Sequence, residues 1–276
     1  MRNNKIDSFS PIEIFSSFWR NRHLILQLTR REIAGRYRGS LIGVAWSFLN
    51  PLLLLLVYTF VFSVVFKSRW NTNLNESKTD FAIILFAGMI IFSIFSEIIN
   101  RAPSLIVSNV NFVKKVIFPL EILPWVLLGS VLFHGLVSLL VLLIVQFFVN
   151  HSISWTIVFF PLVLLPLTFA SLGISWFLAA LGVYVRDIGQ ITGVLTTVLM
   201  FVSAVFYPIS ALPQAYQSWL KLNPLVLIIN ESRNVLVFGV LPDWMSLGIA
   251  LILSFVFSMI GFWWFQKTRK GFADVL

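Results

Sequence analysis

The sequence predicts an all-α membrane protein with six transmembrane helices and both termini cytoplasmic, and three observations carry that reading. First, 58% of the 276 residues are hydrophobic and 11% charged, with a mean hydropathy of +0.92. A soluble domain carries about 25% charged residues. A soluble fold of this size could not hide so much apolar surface, so lipid is the solvent for much of the chain. Second, six apolar stretches stand out, at residues 41–66, 81–99, 122–149, 155–185, 188–206 and 245–265. Each is close to or longer than the ~20 residues that cross ~30 Å of hydrocarbon, and the long ones must tilt or kink. Period-2 alternation is absent, so helices are the form that satisfies the backbone in lipid. Third, fifteen of the 20 Lys and Arg residues fall on one side of those stretches, eight of them before the first. The positive-inside bias places that side, with both termini, in the cytoplasm.

The same composition narrows the chemistry. A net charge of +9 would point to nucleic acid in a soluble protein; here it is the positive-inside bias, and no nucleic-acid partner is read from it. There are no cysteines, which excludes disulfides, thiol catalysis and thiolate metal sites. Residues 1–11 are polar and lack the apolar core and cleavage site of a signal peptide.

Residues 1–39 form a cytoplasmic segment with structure of its own. Ser10-Pro11-Ile12-Glu13 reads as a capping box with Pro at the first helical position. Phe15, Phe18 and Trp19 share one helical face, Leu24, Ile25 and Leu28 continue it, and Arg30, Arg31 and Arg36 follow. That is the pattern of a basic amphipathic helix lying in the membrane interface; the simpler reading is a flank that only fixes topology. The loop at 100–121 is too long for a turn and too polar to span. Polar Ser104, Ser108, Asn109 and Asn111 alternate there with Leu105, Ile106, Val110 and Phe112. A short exposed helix with apolar knobs is a docking element for a partner, and an interfacial connector is the alternative. Residues 207–243, on the external side, are punctuated by Pro208, Pro213, Pro224 and Pro242. They read as a re-entrant helical hairpin before the last span, which lipid tolerates only where protein or a water-filled cavity surrounds it. Glu231 and Arg233 are two apart and cannot pair within one helix; they need partners elsewhere, such as across a dimer.

Several kinds of machinery are missing. No G-x-x-x-x-G-K-[ST] occurs, so the chain binds no ATP through a P-loop, and no H-E-x-x-H occurs. His23, His134 and His151 are far apart. His134 falls mid-span, where a neutral histidine bonded across helices is the plainer reading and a proton relay the sharper one. A relay needs intramembrane carboxylates, and Glu97, Glu121 and Asp187 all fall near span ends. No internal repeat is evident, which weighs against a secondary transporter. Aromatic residues abound, with 28 Phe and 10 Trp; interfacial belts and packing account for most, although an aromatic face also suits the apolar face of a sugar. Gly35, Gly39, Gly43 and, further on, Gly189 and Gly193 have the small-xxx-small spacing that lets helices approach closely. Asn50-Pro51 should kink the first span.

Four blocks in order carry a resemblance. Arg30-Arg31-Glu32-Ile33 with Arg36-Tyr37-Arg38-Gly39-Ser40-Leu41-Ile42-Gly43, then Trp46 and Asn50-Pro51, form the first. Residues 113–124, VKKVIFPLEILP, form the second; Val185-Arg186-Asp187-Ile188 the third; Tyr207-Pro208 and Leu222-Asn223-Pro224 the last. Together they resemble the ABC-2-type permeases that export polysaccharide or polyol phosphate, most closely the permease subunits of O-antigen polysaccharide exporters. Ile42 stands where the family often has Leu, and Leu120 where it often has a basic residue.

The resemblance implies a transport subunit rather than an enzyme, in the bacterial inner membrane, with a transmembrane domain over residues 40–266 and a cytoplasmic tail at 267–276. It implies a homodimer joined to two copies of a separate ABC ATPase, which holds the ATP and Mg while this chain holds no cofactor or metal. It implies a lipid-linked glycan cargo, usually on undecaprenyl pyrophosphate. The loop at about 101–118 becomes the coupling helix, with Asn111, Phe112, Val113, Lys114 and Lys115 at the ATPase. Arg30, Arg31, Arg36 and Arg38 stand where a pyrophosphate head would meet the interface, in forks suited to phosphate. The first and fifth spans of two copies would line a channel, with Tyr58, Phe62, Phe201 and Phe206 facing the sugar. The hairpin, with Asn230, Glu231 and Arg233, would gate the outer mouth. A capsule or teichoic-acid permease is the near alternative; a membrane-embedded enzyme acting on lipid-linked sugars is a more distant one, for which only Asp187, Glu97 and Glu121 could serve as acid or base.

Overall fold

The computed structural model describes residues 11–65, 70, 78–114 and 118–276, and among these every regular element is helical. In chain order they are α1 (Pro11–Arg36), α2 (Trp46–Tyr58), α3 (Lys78–Arg101), a single turn α4 (Val110–Val113), α5 (Leu123–Asn150), α6 (Phe160–Tyr184), α7 (Ile188–Val202), the hairpin pair α8 (Gln214–Lys221) and α9 (Pro224–Arg233), α10 (Trp244–Thr268) and a last turn α11 (Phe272–Val275). Ser10 of the expected capping box and Lys115 of the expected coupling helix lie outside the described residues.

Among the described residues, five helical stretches are long and apolar enough to cross a membrane: Gly43–Phe62, Thr79–Ser104, Leu120–Asn150, Trp155–Tyr184 and Trp244–Val275. The stretch expected at 188–206 is α7, 15 residues long. At 1.5 Å per residue it measures about 22 Å, short of a full bilayer crossing. It stops because Ala204, with φ 52°, turns the chain left-handed just after it, a conformation that no α-helix continues.

α3 is the central helix. Within its most apolar window 83% of residues are buried, against 17% for α2, and Ile83, Leu85, Ile91 and Ile98 are sealed completely. α1 lays Ile14, Ser17, Ile25 and Thr29 inward, a three-and-four spacing that makes one helical stripe. Phe18 meets Trp125 of α5 at 4.6 Å between ring centroids, while Trp19 and Leu26 stay exposed on the other side.

The closest helix pair is α6 with α10. A Cβ added to Gly261 would lie 2.2 Å from the Gly173 carbonyl oxygen, and one added to Gly173 would lie 2.8 Å from Ser258 Cα. Here the backbones themselves touch, which is how small residues hold helices together in lipid. The glycines expected to do this behave differently: Gly35, Gly39, Gly43, Gly189 and Gly193 have no neighbour within 4 Å in this chain. Gly39 and Gly43, at φ 84° and 57°, instead turn the chain from α1 into α2. Pro51 sits inside α2, which runs on into a wider π-helical turn over Thr59–Val65.

Gly261→Ala should therefore destabilise the protein by about 1–3 kcal/mol through overpacking, read as a lower melting temperature in detergent. Gly248→Ala, on the same helix but with nothing within 4 Å, should leave it unchanged or higher. Equal melting of the two variants would disprove the close crossing.

Candidate functional site

The candidate residues read from the sequence gather at the two ends of the helical bundle. At the end that holds the C-terminal residues, the second half of α1 lies beside the end of α3. Arg36 Nη1 pairs with Glu97 at 2.5 Å, Arg101 Nη1 pairs with the same carboxylate at 3.0 Å, and Arg101 Nη2 pairs with Glu32. Arg36 is thus engaged inside the chain. Arg30 and Arg38 are exposed and make no ion pair among the described residues, and the Arg31 guanidinium lies over the Phe112 ring at 5.9 Å. Behind this cluster is a cavity of about 140 Å³ lined by Arg36, Tyr37, Asn50, Glu97, His134 and Ser138. His134 Nδ1 lies 3.2 Å from the Tyr37 hydroxyl, so the histidine is bonded between elements, while its Nε2 is buried with no partner among the described residues. Burial pushes the Tyr37 hydroxyl above its ordinary pKa, which keeps it a proton donor.

The segment after α3 is not one coupling helix but a series of short turns, Ala102–Ser104, Val107–Asn109 and α4. Pro103 starts the first of them. Asn111 and Lys114 are exposed, whereas Phe112 and Val113 are half-buried. Phe112 stacks on Phe118 at 4.2 Å and 8°, which closes the segment on itself. A cavity of about 390 Å³ separates it from α1, lined by Arg31, Glu32, Arg101, Ser108 and Phe112 among others.

The four aromatic candidates come together. Tyr58 and Phe62 lie 6.5 Å apart, Phe62 stacks on Phe206 at 5.4 Å and 15°, and Phe206 meets Phe201 at 5.7 Å. They join α2 and its π-turn to the end of α7. Tyr207 fastens that end: its hydroxyl donates to the Phe201 carbonyl at 2.6 Å. The run continues through Phe81, 6.1 Å from Phe62, to Trp70, 5.8 Å from Phe81.

It ends on Arg233. This side chain is 1% exposed, and its donors reach carbonyls on separate elements: Nε to Ile84 at 3.2 Å, Nη1 to Ala204 at 3.0 Å and Nη2 to Val205 at 2.6 Å. Asn230 Oδ1 accepts from Nη1 at 3.4 Å, and the guanidinium lies 4.3 Å from the centre of the Trp70 ring. The strained φ of Ala204 costs about 1–3 kcal/mol, and Arg233 bonds the carbonyls of that turn. Glu231 is buried too; its Oε2 accepts from Asn234 Nδ2 at 3.3 Å and from the Asp243 amide at 3.1 Å. Both charges find their partners within one chain, so the expectation that they reach across a dimer is unnecessary. Asp243 caps α10, and hydrogen bonds from the Ser246 hydroxyl and then from backbone amides hold its carboxyl below the usual range.

The described residues hold no group of three or more His, Cys, Asp or Glu that could bind a metal. The model of the ABC-2 type transporter family matches residues 23–237, which takes in the basic half of α1, the turn segment, the aromatic run and the hairpin. The chain belongs to the ABC-2 type transporter family. It is 30% identical over 270 residues to the O-antigen export system permease protein RfbA of Myxococcus xanthus, covering 95% of this chain and 99% of that one. It is 22% identical to the protein of the same name from Klebsiella pneumoniae, over 92% and 95% of the two chains. It is 25% identical to the polysialic acid transport protein KpsM of Escherichia coli, over 83% and 86%.

Some residues of this ABC-2 protein that matter to the site carried no sequence signal. Trp70 and Phe81 extend the aromatic run, and Glu121 meets residues 104 and 148 positions away; no local spacing announces such pairings. Arg233→Lys tests the end of the bundle at α9. A lysine is a single compact ammonium and cannot reach three divergent carbonyls, so a loss of about 3–5 kcal/mol in stability is expected, as when a buried charge network loses a member. Gly88→Ala, whose Cβ would lie 2.4 Å from Arg233 Nη2, should lower the melting temperature in the same direction. Retention of full thermal stability by Arg233→Lys would count against this role.

Proposed function

We propose that this ABC-2 protein is the permease subunit of an ATP-driven exporter that carries a lipid-linked polysaccharide of O-antigen type out of the bacterial cytoplasm across the inner membrane. It acts as a homodimer with two copies of an ABC ATPase that binds ATP and Mg. The observation that carries the reading is the continuous aromatic run from Tyr58 through Phe62 and Phe206 to Phe201. It lies on α2 and α7, the former the least buried of the five long apolar stretches and the latter exposing Ile191, Val194 and Val198. Two such surfaces facing each other make a channel whose walls offer rings to sugar faces. Ring contacts are individually weak and alike for every sugar unit, so a long polymer slides without a deep trap.

Six crossings, with α7 and the hairpin together completing the sixth, put both termini in the cytoplasm, in keeping with the distribution of Lys and Arg. Arg30, Arg31 and Arg38 then meet the pyrophosphate of the carrier lipid. Arg36 joins them when the phosphate displaces Glu97, since a partly exposed ion pair is worth only about 0–1 kcal/mol. The 102–118 segment docks on the ATPase through Asn111, Phe112, Val113, Lys114 and Lys115. The α8–α9 hairpin closes the outer mouth, with Asn230, Glu231 and Arg233 fixing its position. The polysialic acid transport relative favours a second reading of the cargo alone, a capsular polysaccharide; transport assays with each purified lipid-linked glycan separate the two.

The test is reconstitution with the ATPase in vesicles. Glycan lipid should cross only with ATP and only with both subunits, and transport by the purified permease alone would refute the reading. Reversing the charge of Lys114 and Lys115 together should abolish substrate-stimulated ATP hydrolysis; unchanged stimulation would remove this segment from the coupling. Phe206→Ala should slow polymer transport at least tenfold while ATPase binding is kept, and Phe206→Tyr should restore it. Equal rates for both would take the ring out of the path.

A further inference from the structure

Glu121 closes the turn segment and enters α5, and it is buried at 7% exposure. Three other elements use it. Its Oε1 accepts from Ser17 Oγ of α1 at 3.3 Å, its Oε2 accepts from Arg269 Nη1 at 3.0 Å just beyond α10, and its backbone carbonyl accepts from Trp176 Nε1 of α6 at 3.0 Å. Trp176 is fully buried, so its indole has no water to turn to. The start of the same segment is held as firmly: the Pro103 carbonyl oxygen lies 2.0 Å from where a Cβ on Gly182 would be.

The tail past Arg269 is docked as well. Phe272 is fully buried, with its ring 5.6 Å from Phe265 and 6.0 Å from Tyr184, and the Tyr184 hydroxyl donates to the Thr268 carbonyl at 2.9 Å. Tyr184 ends α6, immediately before the exposed turn into α7. Residues 268–272 therefore touch the turn segment through Glu121 and the α6–α7 turn through Tyr184. A stretch of five residues spans the two connections that face the same side.

We infer that the Glu121–Arg269 pair is the joint through which displacement of the 102–121 segment reaches the tail and, by way of Tyr184, the start of α7. Glu121 and Arg269 are then positioning residues for transport; neither touches cargo or nucleotide. The backbone bond from Trp176 keeps the segment on α6 whether or not the pair exists, so breaking the pair loosens the tail without detaching the segment. This rests on the reading that the segment meets the ATPase.

The experiment uses the full permease–ATPase complex in vesicles and measures glycan transported per ATP hydrolysed. Glu121→Gln keeps the shape and an acceptor for Ser17 but loses the charge; Arg269→Gln removes the partner, which is partly exposed; Arg269→Lys keeps the charge. The first two should assemble with the ATPase and hydrolyse ATP at the basal wild-type rate while transport per ATP falls about fivefold or more, the range of a typical coupling energy. The double variant should fall no further than either single, and Arg269→Lys should retain most of the transport. Unchanged transport per ATP in the singles, losses that multiply in the double, or a loss that only follows the amount of complex assembled would each overturn the joint. Transport by the wild-type permease without the ATPase would instead sink the proposed function itself, a result plainly distinct from a wild type that is ATP-driven and variants that are unaffected.

Discussion

In lipid, apolar side chains gain nothing by leaving hydrocarbon for a neighbouring helix, so helices associate where their backbones can come into contact. α6 and α10 do so at Gly173, Ser258 and Gly261, and the surrounding architecture is referenced to that contact. The pair turns Trp176 and Phe262 towards each other at 5.0 Å, and the indole of Trp176 then fixes the carbonyl of Glu121. Gly182, two turns along the same helix from Trp176, receives Pro103. Both ends of the turn segment are thus measured from one rigid pair. A larger residue at Gly261 would shift them together, because a close-packed contact transmits displacement rather than absorbing it.

The buried charges mark the two ends of this frame, and each is resolved differently. Arg233 is satisfied by carbonyls of α3 and of the 204–205 turn and by the face of Trp70. Glu121 has a hydroxyl and a counter-charge. Taking an ion out of water costs several kcal/mol, so neither arrangement is a large net source of stability; what each supplies is geometry, because a displaced partner leaves a charge uncompensated. The Glu32–Arg101–Glu97–Arg36 chain is of another kind. Its arginines have side chains 37% and 47% exposed, and water screens such pairs until they are easily exchanged. A network that can open suits the proposed site of an anionic head group, and networks that cannot open belong where helices must be held.

Five of the six expected spans were legible because hydrophobic run length is a local property. The aromatic run was legible in part. Tyr58, Phe62, Phe201 and Phe206 could be named through the resemblance, as residues of the first and fifth spans, and they do approach one another, but Trp70 lies in a polar connection that no spacing rule links to α9. The glycines misled. Gly35, Gly39 and Gly43 have the spacing of a helix-packing stripe, yet two of them serve backbone turns, while Gly173, Gly182 and Gly261, which do bring backbones together, lie in no shared repeat. Spacing reports which residues share a face, and only the tertiary fold decides what that face meets. The same limit applies to Ser17, Glu121 and Arg269, which are unremarkable in their own neighbourhoods.

α2 and α7 are set apart from the rest by how little holds them. α3 is buried over most of its length and α2 over little of it, and α7 buries Thr192 and Thr196 alone of its 15 residues and touches α3 through the Asn100–Thr196 hydrogen bonds at 3.2 Å. Exposure to lipid alone would not distinguish them, since hydrocarbon covers an apolar face without penalty. Their connections do. α2 is entered through two glycine turns and continued by a π-turn, and α7 is bounded by the exposed 185–187 turn and the left-handed Ala204. Each of these joints can change its backbone angles at low cost compared with the middle of a helix. Hinge positions at both ends allow a helix to move as a body past a fixed neighbour. The aromatic run joins these two helices, so displacing either one relative to the α6–α10 frame would widen or narrow the space between rings while Arg233 holds the outer turn in place.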